Sequence, residues 1–199
     1  VTKVVLATRN LGKVAELGRI LAPYGVELVP VSYEPGPETG ATFAENALAK
    51  AREGVRETGL PALADDSGLT VDALNGMPGV LSARWAGGHG DDLANLELVL
   101  GQLADLPDDR RGAAFVCAAA YALPDGRSEV VRGELRGALI RTPRGTNGFG
   151  YDPIFVPEGY DVTSAQLSPE DKDAISHRGQ AFRALAPLLA RALAAAPQQ

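Results

Sequence analysis

Cysteine occurs once in the 199 residues, at Cys117, which excludes an intramolecular disulfide and any multi-cysteine zinc site. It lies in the apolar run Ala113-Ala114-Phe115-Val116-Cys117-Ala118, so a buried structural thiol in a strand is expected rather than a nucleophile. An excess of basic charge is also missing. The formal net charge of -6 argues against a nucleic-acid polymer or an anionic membrane as partner, because both select a basic surface. Lysine is scarce: of 19 basic residues only Lys3, Lys13, Lys50 and Lys172 are lysine, which marks these four as places where a compact ammonium is wanted rather than a planar guanidinium. No signal peptide or membrane span is visible, since Lys3 is followed only by Val4 to Ala7 before polar residues begin, and a cytoplasmic protein is expected. His89 has no His or Cys at ligand spacing, and its neighbours Asp91 and Asp92 read as helix N-terminal residues, so it is assigned to a loop. Internal repeats and linkers are absent as well.

What is present is an ordinary globular composition, with 45% hydrophobic and 22% charged residues over a length suited to one domain with two lobes, residues 1–199. The most informative stretch is Ala62-Leu63-Ala64-Asp65-Asp66-Ser67-Gly68-Leu69, where an apolar run meets two adjacent carboxylates and a Ser-Gly pair. It reads as a strand that ends at the carboxylates, at the mouth of a sheet, where open α/β sheets bind ligands. Consecutive residues of an extended segment point to opposite faces, so one carboxylate faces a ligand and the other turns to supporting groups. Asp66 is taken as the reactive one. An Asp there suits a hard cation such as Mg²⁺, which one or two carboxylates hold together with substrate phosphates. The same composition also describes a plain surface turn.

Upstream, Val4 to Ala7 reads as a strand, and Val14, Leu17, Ile20 and Leu21 recur at helical spacing. The connection Thr8-Arg9-Asn10-Leu11-Gly12-Lys13 leads into a helix N-terminus, where backbone N–H groups, the helix dipole and a lysine cradle phosphate. It is not a Walker A loop, because Ala7 and Val14 stand at the required Gly and Ser/Thr positions. Val26 to Val29 reads as a second strand, and Glu38, in the Pro/Gly-rich loop after it, is a candidate metal ligand or a solvated loop acid. Thr42-Phe43-Ala44-Glu45 matches a capping box and opens a helix through about Glu57 that carries Lys50. A second helix places Leu93, Leu96, Val99, Leu100 and Leu103 on one face.

Phe115 to Leu123 and Glu129 to Leu135 read as strands joined at Pro124-Asp125-Gly126, an antiparallel ribbon assigned to the second lobe. Gly145 to Pro153 follows, a glycine-rich loop in which Phe149 suits stacking on a planar base or plugging a core. Lys172, His177 and Arg178 form a donor-only cluster suited to phosphate or a keto oxygen, between a helix start at Ser168-Pro169 and a long helix from Ala181 onward with Pro187 inside it.

Taken in order, Thr8-x-Asn10-x-x-Lys13, Ala64-Asp65-Asp66-Ser67-Gly68-Leu69, Gly148-Phe149-Gly150-Tyr151-Asp152-Pro153 and Ile175-Ser176-His177-Arg178-Gly179 closely resemble the inosine triphosphate pyrophosphatase family, over essentially the whole chain. The resemblance implies an α/β fold, an elongated mixed sheet with flanking helices forming two lobes around a central nucleotide cleft. It also implies a homodimer, a Mg²⁺ requirement, and hydrolysis of purine nucleoside triphosphates with a non-standard base (ITP, dITP, XTP) to the monophosphate and pyrophosphate. By the same resemblance Thr8, Arg9, Asn10, Leu11, Gly12 and Lys13 grip the triphosphate, Glu38 and Asp66 serve the metal and the attacking water, and Ser67 contacts substrate. Phe149, Gly150, Tyr151 and Asp152, with Lys172, His177 and Arg178, surround base and sugar. Three positions depart from the family pattern: Asn147 where Gly is usual, Gln166 where an acid is usual, and Asp173 where Asn or Ser is common. The alternatives are a pyrophosphatase for other modified nucleotides and a nucleotide-binding module without turnover.

Overall fold

The protein is described here by a computed structural model covering residues 2–8, 14, 17, 18, 20–31 and 33–195. Six strands form one mixed sheet: β1 (Thr2–Leu6), β2 (Val26–Pro30), β3 (Ala62–Val71), β4 (Gly112–Ala122), β5 (Ser128–Leu139) and β6 (Phe155–Pro157). Their order is β2-β1-β3-β4-β5-β6. β1 runs parallel to β2 from Thr2↔Val26 to Leu6↔Pro30, and parallel to β3 only at Val5↔Ala62 and Leu6↔Leu63, whereas β5 and β6 are antiparallel. Among the described residues, helices with full bounds are α1 (Phe43–Thr58), α2 (Asp92–Gln102), α3 (Pro169–Ile175) and α4 (His177–Ala194), and residues 14, 17, 18, 20 and 21 are helical as well. Among the described residues no helix is long and apolar enough to cross a membrane.

The chain divides into two compact units, and three strands run through both. The first holds the residues up to Asp66, Cys117–Gly133 and those from Arg178; the second holds Ser67–Val116 and Glu134–His177. This corrects the assignment of the β4–β5 ribbon to one lobe. Its turn, closed by Leu123 N–H to Arg127 O, belongs to the first unit, and its open ends belong to the second. At 11 and 12 residues the strands are longer than a single lobe needs.

In the first unit Leu6, Leu17, Leu21 and Leu63 pack against Phe182, Leu185 and Leu189 of α4, one buried stripe at helical spacing that offsets the backbone donor missing at Pro187. A separate cluster of Ala7, Ala47, Ala51, Ala64, Ala118 and Ala120 lets α1 lie close against the sheet. Gly54 completes that approach, since a Cβ there would come 2.8 Å from the Ala62 Cβ. In the second unit Leu69, Val71, Leu96, Val99, Leu103, Leu139, Ile154 and Phe155 form the core. Leu93, expected on the buried face of α2, is 63% exposed instead, because the stripe starts one turn later at Leu96. Arg111 is fully buried; its guanidinium donates to the carbonyls of Leu103, Leu139 and Ile140 and so ties the end of α2 to the end of β5. Cys117 is buried in β4, as its apolar surroundings predict.

Candidate active site

Contrary to the expected strand end, Asp65 and Asp66 lie inside β3, which runs unbroken from Ala62 to Val71 through the Ser-Gly pair. What stops is the neighbour: β1 ends at Leu6, opposite Leu63, so the two carboxylates come just past the last β1 pairing and Thr8 follows close behind. Both are buried, and they take different partners, as period two requires. Asp65 Oδ2 accepts from Arg178 Nε at 3.2 Å. Asp66 Oδ2 accepts from Asn46 Nδ2 at 2.9 Å, while its Oδ1 lies 3.9 Å from Lys50 Nζ.

Asn46 and Lys50 stand four residues apart on α1, one helical turn, and therefore share the face turned to β3. The same Lys50 ammonium meets Glu38 Oε1 at 2.6 Å, so the Glu38 and Asp66 carboxylates converge on one cationic point. Burial raises the Asp66 pKa above its ordinary 3.8; Lys50 and the Asn46 hydrogen bond pull it down, and the nearby Glu38 and Asp65 charges push it up again. A buried carboxyl with a raised pKa is a stronger proton acceptor than an exposed one. As to a metal, no group of three or more acidic, His or Cys side chains able to hold one is assembled among the described residues. Two converging carboxylates fit a hard divalent cation that would take its other ligands from phosphate oxygens and water.

The second unit carries another constellation. Asp152, 3% exposed, accepts from Phe149 N–H at 2.9 Å and from Lys172 Nζ at 2.5 Å. The Lys172 ammonium also stands 5.3 Å over the Phe149 ring, which is 64% exposed and so is not a core plug. Gly148 has φ +75°, and any Cβ on it would fall on the Asp152 carboxylate and 2.9 Å from Lys172 Nζ. Gly150 N–H donates to Asp92 Oδ2 at 2.9 Å, so α2 fixes the far side of the loop. Phe149, Pro153, Leu93 and Leu96 line an open cavity of about 240 Å³ beside it. Tyr151 is buried and its hydroxyl donates to Ser82 O at 2.7 Å; burial pushes its pKa up, which makes the side chain a core anchor.

His177, expected ahead of a helix, is the first residue of α4, which begins four residues earlier than the Ala181 start predicted. Its ring stacks on Phe115 at 5.2 Å and 17°, and Phe115 packs in turn on the buried Phe155. Of the sequence-predicted residues, the structure thus brings Glu38 and Asp66 together in the first unit, with Ser67 next in β3, and Phe149, Gly150, Asp152 and Lys172 together in the second. Arg9, Asn10, Leu11, Gly12 and Lys13 lie outside the described residues. Sequence reasoning passed over Asn46 and Asp92 and left Lys50 undecided. The usable signal was Asn46 and Lys50 at i, i+4 among Ala47 and Ala51, a polar pair on a face otherwise made of small buried residues. Two of the departures find their use: Asn147 Nδ2 donates to Leu167 O, and Gln166 Oε1 accepts from Thr163 N–H, a role that needs an oxygen and not a charge.

Comparison with known proteins places the chain in a family. The Ham1 family pattern matches residues 4–188. A dITP/XTP pyrophosphatase of Nocardia farcinica is 61% identical over 195 residues, covering 94% of this chain and 95% of that one. The dITP/XTP pyrophosphatase of Streptomyces coelicolor is 59% identical, covering 94% and 97%. Among solved structures, that of a nucleoside-triphosphatase, dITP/XTP pyrophosphatase, from Mycobacterium abscessus superposes with a TM-score of 0.80 at 61% identity over 93% of this chain and 99% of that one. A HAM1 protein from Coxiella burnetii gives 0.90 at 43% identity over 96% and 100%. With its fold and its sequence thus matched nearly end to end, the chain belongs to the Ham1 family.

Proposed function

We propose that this protein is a Mg²⁺-dependent pyrophosphatase that hydrolyses dITP, ITP and XTP to the monophosphate and pyrophosphate. The observation that carries it is the convergence of Glu38, Lys50 and Asp66, a site for phosphate-linked charge with a carboxyl tuned upward by burial. The names of the relatives support the substrate class. Asp66 accepts a proton from water, whose oxygen forms a bond to the α-phosphorus as the bond to the bridging oxygen breaks and pyrophosphate leaves. Lys50 offsets the negative charge that develops there, and Thr8 to Lys13 hold the phosphate chain. Glu38 and Asp66 would hold a Mg²⁺ ion, which would supply Lewis-acid charge to the phosphate oxygens. Phe149 offers a stacking face, and Lys172, His177 and Arg178 are donors that match a 6-keto oxygen, with Ser67, Gly150, Tyr151 and Asp152 shaping the site for sugar and base.

The test is product analysis with ITP and Mg²⁺. Inosine monophosphate and pyrophosphate as first products are expected; inosine diphosphate with free phosphate would overturn the reading. The family resemblance further supports a cytoplasmic homodimer. Light scattering is expected to give about twice the 20.7 kDa chain mass, and a fully active monomer would refute the dimer.

A further inference from the structure

Asn46 is 2% exposed, and both ends of its amide are engaged. Nδ2 donates to Asp66 Oδ2 at 2.9 Å, and Oδ1 accepts from the Gly40 N–H at 2.7 Å. We propose that Asn46 is a positioning residue for the hydrolysis: it fixes the rotation of the Asp66 carboxylate and ties to it the segment that carries Glu38. The proposal rests on the function given above.

A carboxylate turns easily about its last torsion, and a donor on one oxygen stops it. With Oδ2 held by Asn46, Oδ1 is the oxygen presented on the Lys50 side, 3.9 Å from Nζ. The other end of the amide reaches a backbone group two residues past Glu38, so the loop acid and the strand acid are referenced to one side chain. An amide is the residue type that suits this position. It donates and accepts at once without charge, whereas a lysine or arginine would neutralise Asp66 and accept nothing from Gly40, and an acid would set like charge against Asp66. Helix formation does not need this side chain. The start of α1 is capped by Thr42 Oγ1, which accepts from Glu45 N–H, and by Glu45 Oε2, which accepts from Ala41 N–H, while the Asn46 backbone N–H already bonds Thr42 O. Asparagine is a poor helix former, so its use inside α1 costs helix propensity. Gly40 is matched to it: a Cβ on Gly40 would lie 2.6 Å from Asn46 Oδ1 and 2.9 Å from Glu45 Cβ.

Asn46→Asp and Gly40→Ala separate the two ends. Asn46→Asp keeps the shape and an acceptor for the Gly40 N–H but replaces the donor facing Asp66 with oxygen. Its kcat for ITP is expected to fall about 10- to 10²-fold with KM changed less than about threefold, while amide hydrogen exchange at Gly40 stays as slow as in the wild type. Gly40→Ala pushes on Asn46 from the other end, and is expected to lower kcat without altering any side chain of the site. Asn46→Asp with wild-type kcat, a loss confined to KM, or a lost kcat accompanied by fast Gly40 exchange would each overturn the proposal. The last would mark local unfolding rather than misaim. In these three cases the wild type still releases pyrophosphate, so the function survives; a wild type that releases none overturns the function and this inference with it.

Discussion

Replacing Asp66 with asparagine is expected to cost activity and to raise stability, and the two effects have one cause. The carboxyl is 7% exposed and its pKa is raised, with burial the largest influence, even after the favourable Lys50 and Asn46 interactions are counted. The sum of the forces on the ionised group is therefore unfavourable in the folded protein. An acid whose folded pKa lies above its unfolded value contributes most to stability below the unfolded pKa, and that contribution is lost as pH rises through the folded pKa. Above the folded pKa, with the carboxylate ionised, folding bears the whole cost. Asparagine at 66 removes the charge and keeps an oxygen for Asn46 Nδ2, and Lys50 retains Glu38 at 2.6 Å. Each unit of pKa elevation corresponds to about 1.4 kcal/mol. For a chain of this size that is a gain of roughly 3–5 °C in Tm per unit.

The assay is thermal unfolding of wild type and Asp66→Asn in chelator, at pH 7 and again at about pH 4, where more of the native carboxyl is protonated. The variant is expected to melt higher at pH 7, and the gap is expected to close as pH falls toward 3.8. Turnover of ITP is expected to fall ~10²- to 10⁴-fold, the range for loss of a positioned general base. A variant that melts lower than wild type at pH 7, or a gap that does not shrink in acid, would refute the assignment of an uncompensated buried charge. Near-normal turnover in Asp66→Asn with collapse in Asp65→Asn would show that the reactive carboxylate is the other one.

Gly148→Ala forces a left-handed backbone on alanine and drives its Cβ into the Asp152–Lys172 pair, so a loss of about 2 kcal/mol or more is expected, read as a lowered Tm together with reduced kcat/KM. An unchanged Tm would show that the loop can swing clear. Arg178→Ala is expected to lower kcat/KM for ITP far more than for ATP, because a 6-keto oxygen accepts from a guanidinium whereas a 6-amino group sets donor against donor, at about 1–3 kcal/mol for each group left unpaired. Equal losses on both nucleotides would mean that the arginine grips phosphate or sugar only.

The parts of this molecule that were legible in its sequence are those set by local rules. The α1 cap at Thr42, the β4–β5 turn at Pro124-Asp125-Gly126 and the burial of Cys117 each depend on a few adjacent residues, and each stands where those residues put it. The failures are non-local. Asp65, Asp66, Ser67 and Gly68 read as a turn because polar and flexible residues end most strands, yet β3 runs on through them past the end of β1, with β4 beside it in the sheet, and that non-local pairing overrides the local preference. Leu93 fits the helical stripe by spacing, but nothing of the core reaches its turn of α2. Asn46 was invisible for a related reason. Its meaning depends on Gly40 and Asp66, 6 and 20 residues away, and spacing along one helix does not reveal what stands across from it.

Continuity of β3 also explains why two adjacent carboxylates serve the site where one would provide the base. Period two sends Asp65 to Arg178 and Asp66 to Asn46 and Lys50, so a single peptide unit links the arginine expected to read the base to the carboxyl expected to take the proton. Removing either partner of the Asp65–Arg178 pair takes a charge-assisted contact from the buried Asp65 position, which is expected to cost about 1.5–3 kcal/mol and to displace the strand at the residue next to Asp66. A rigid strand transmits such a displacement, and an error of about 1 Å at a reacting group can cost ~10²-fold in rate. On this geometry a nucleotide that pulls Arg178 out of place is penalised in the chemical step as well as in binding. Selectivity between ITP and ATP therefore belongs in kcat as much as in KM, and that is where the Arg178→Ala enzyme has to show its loss.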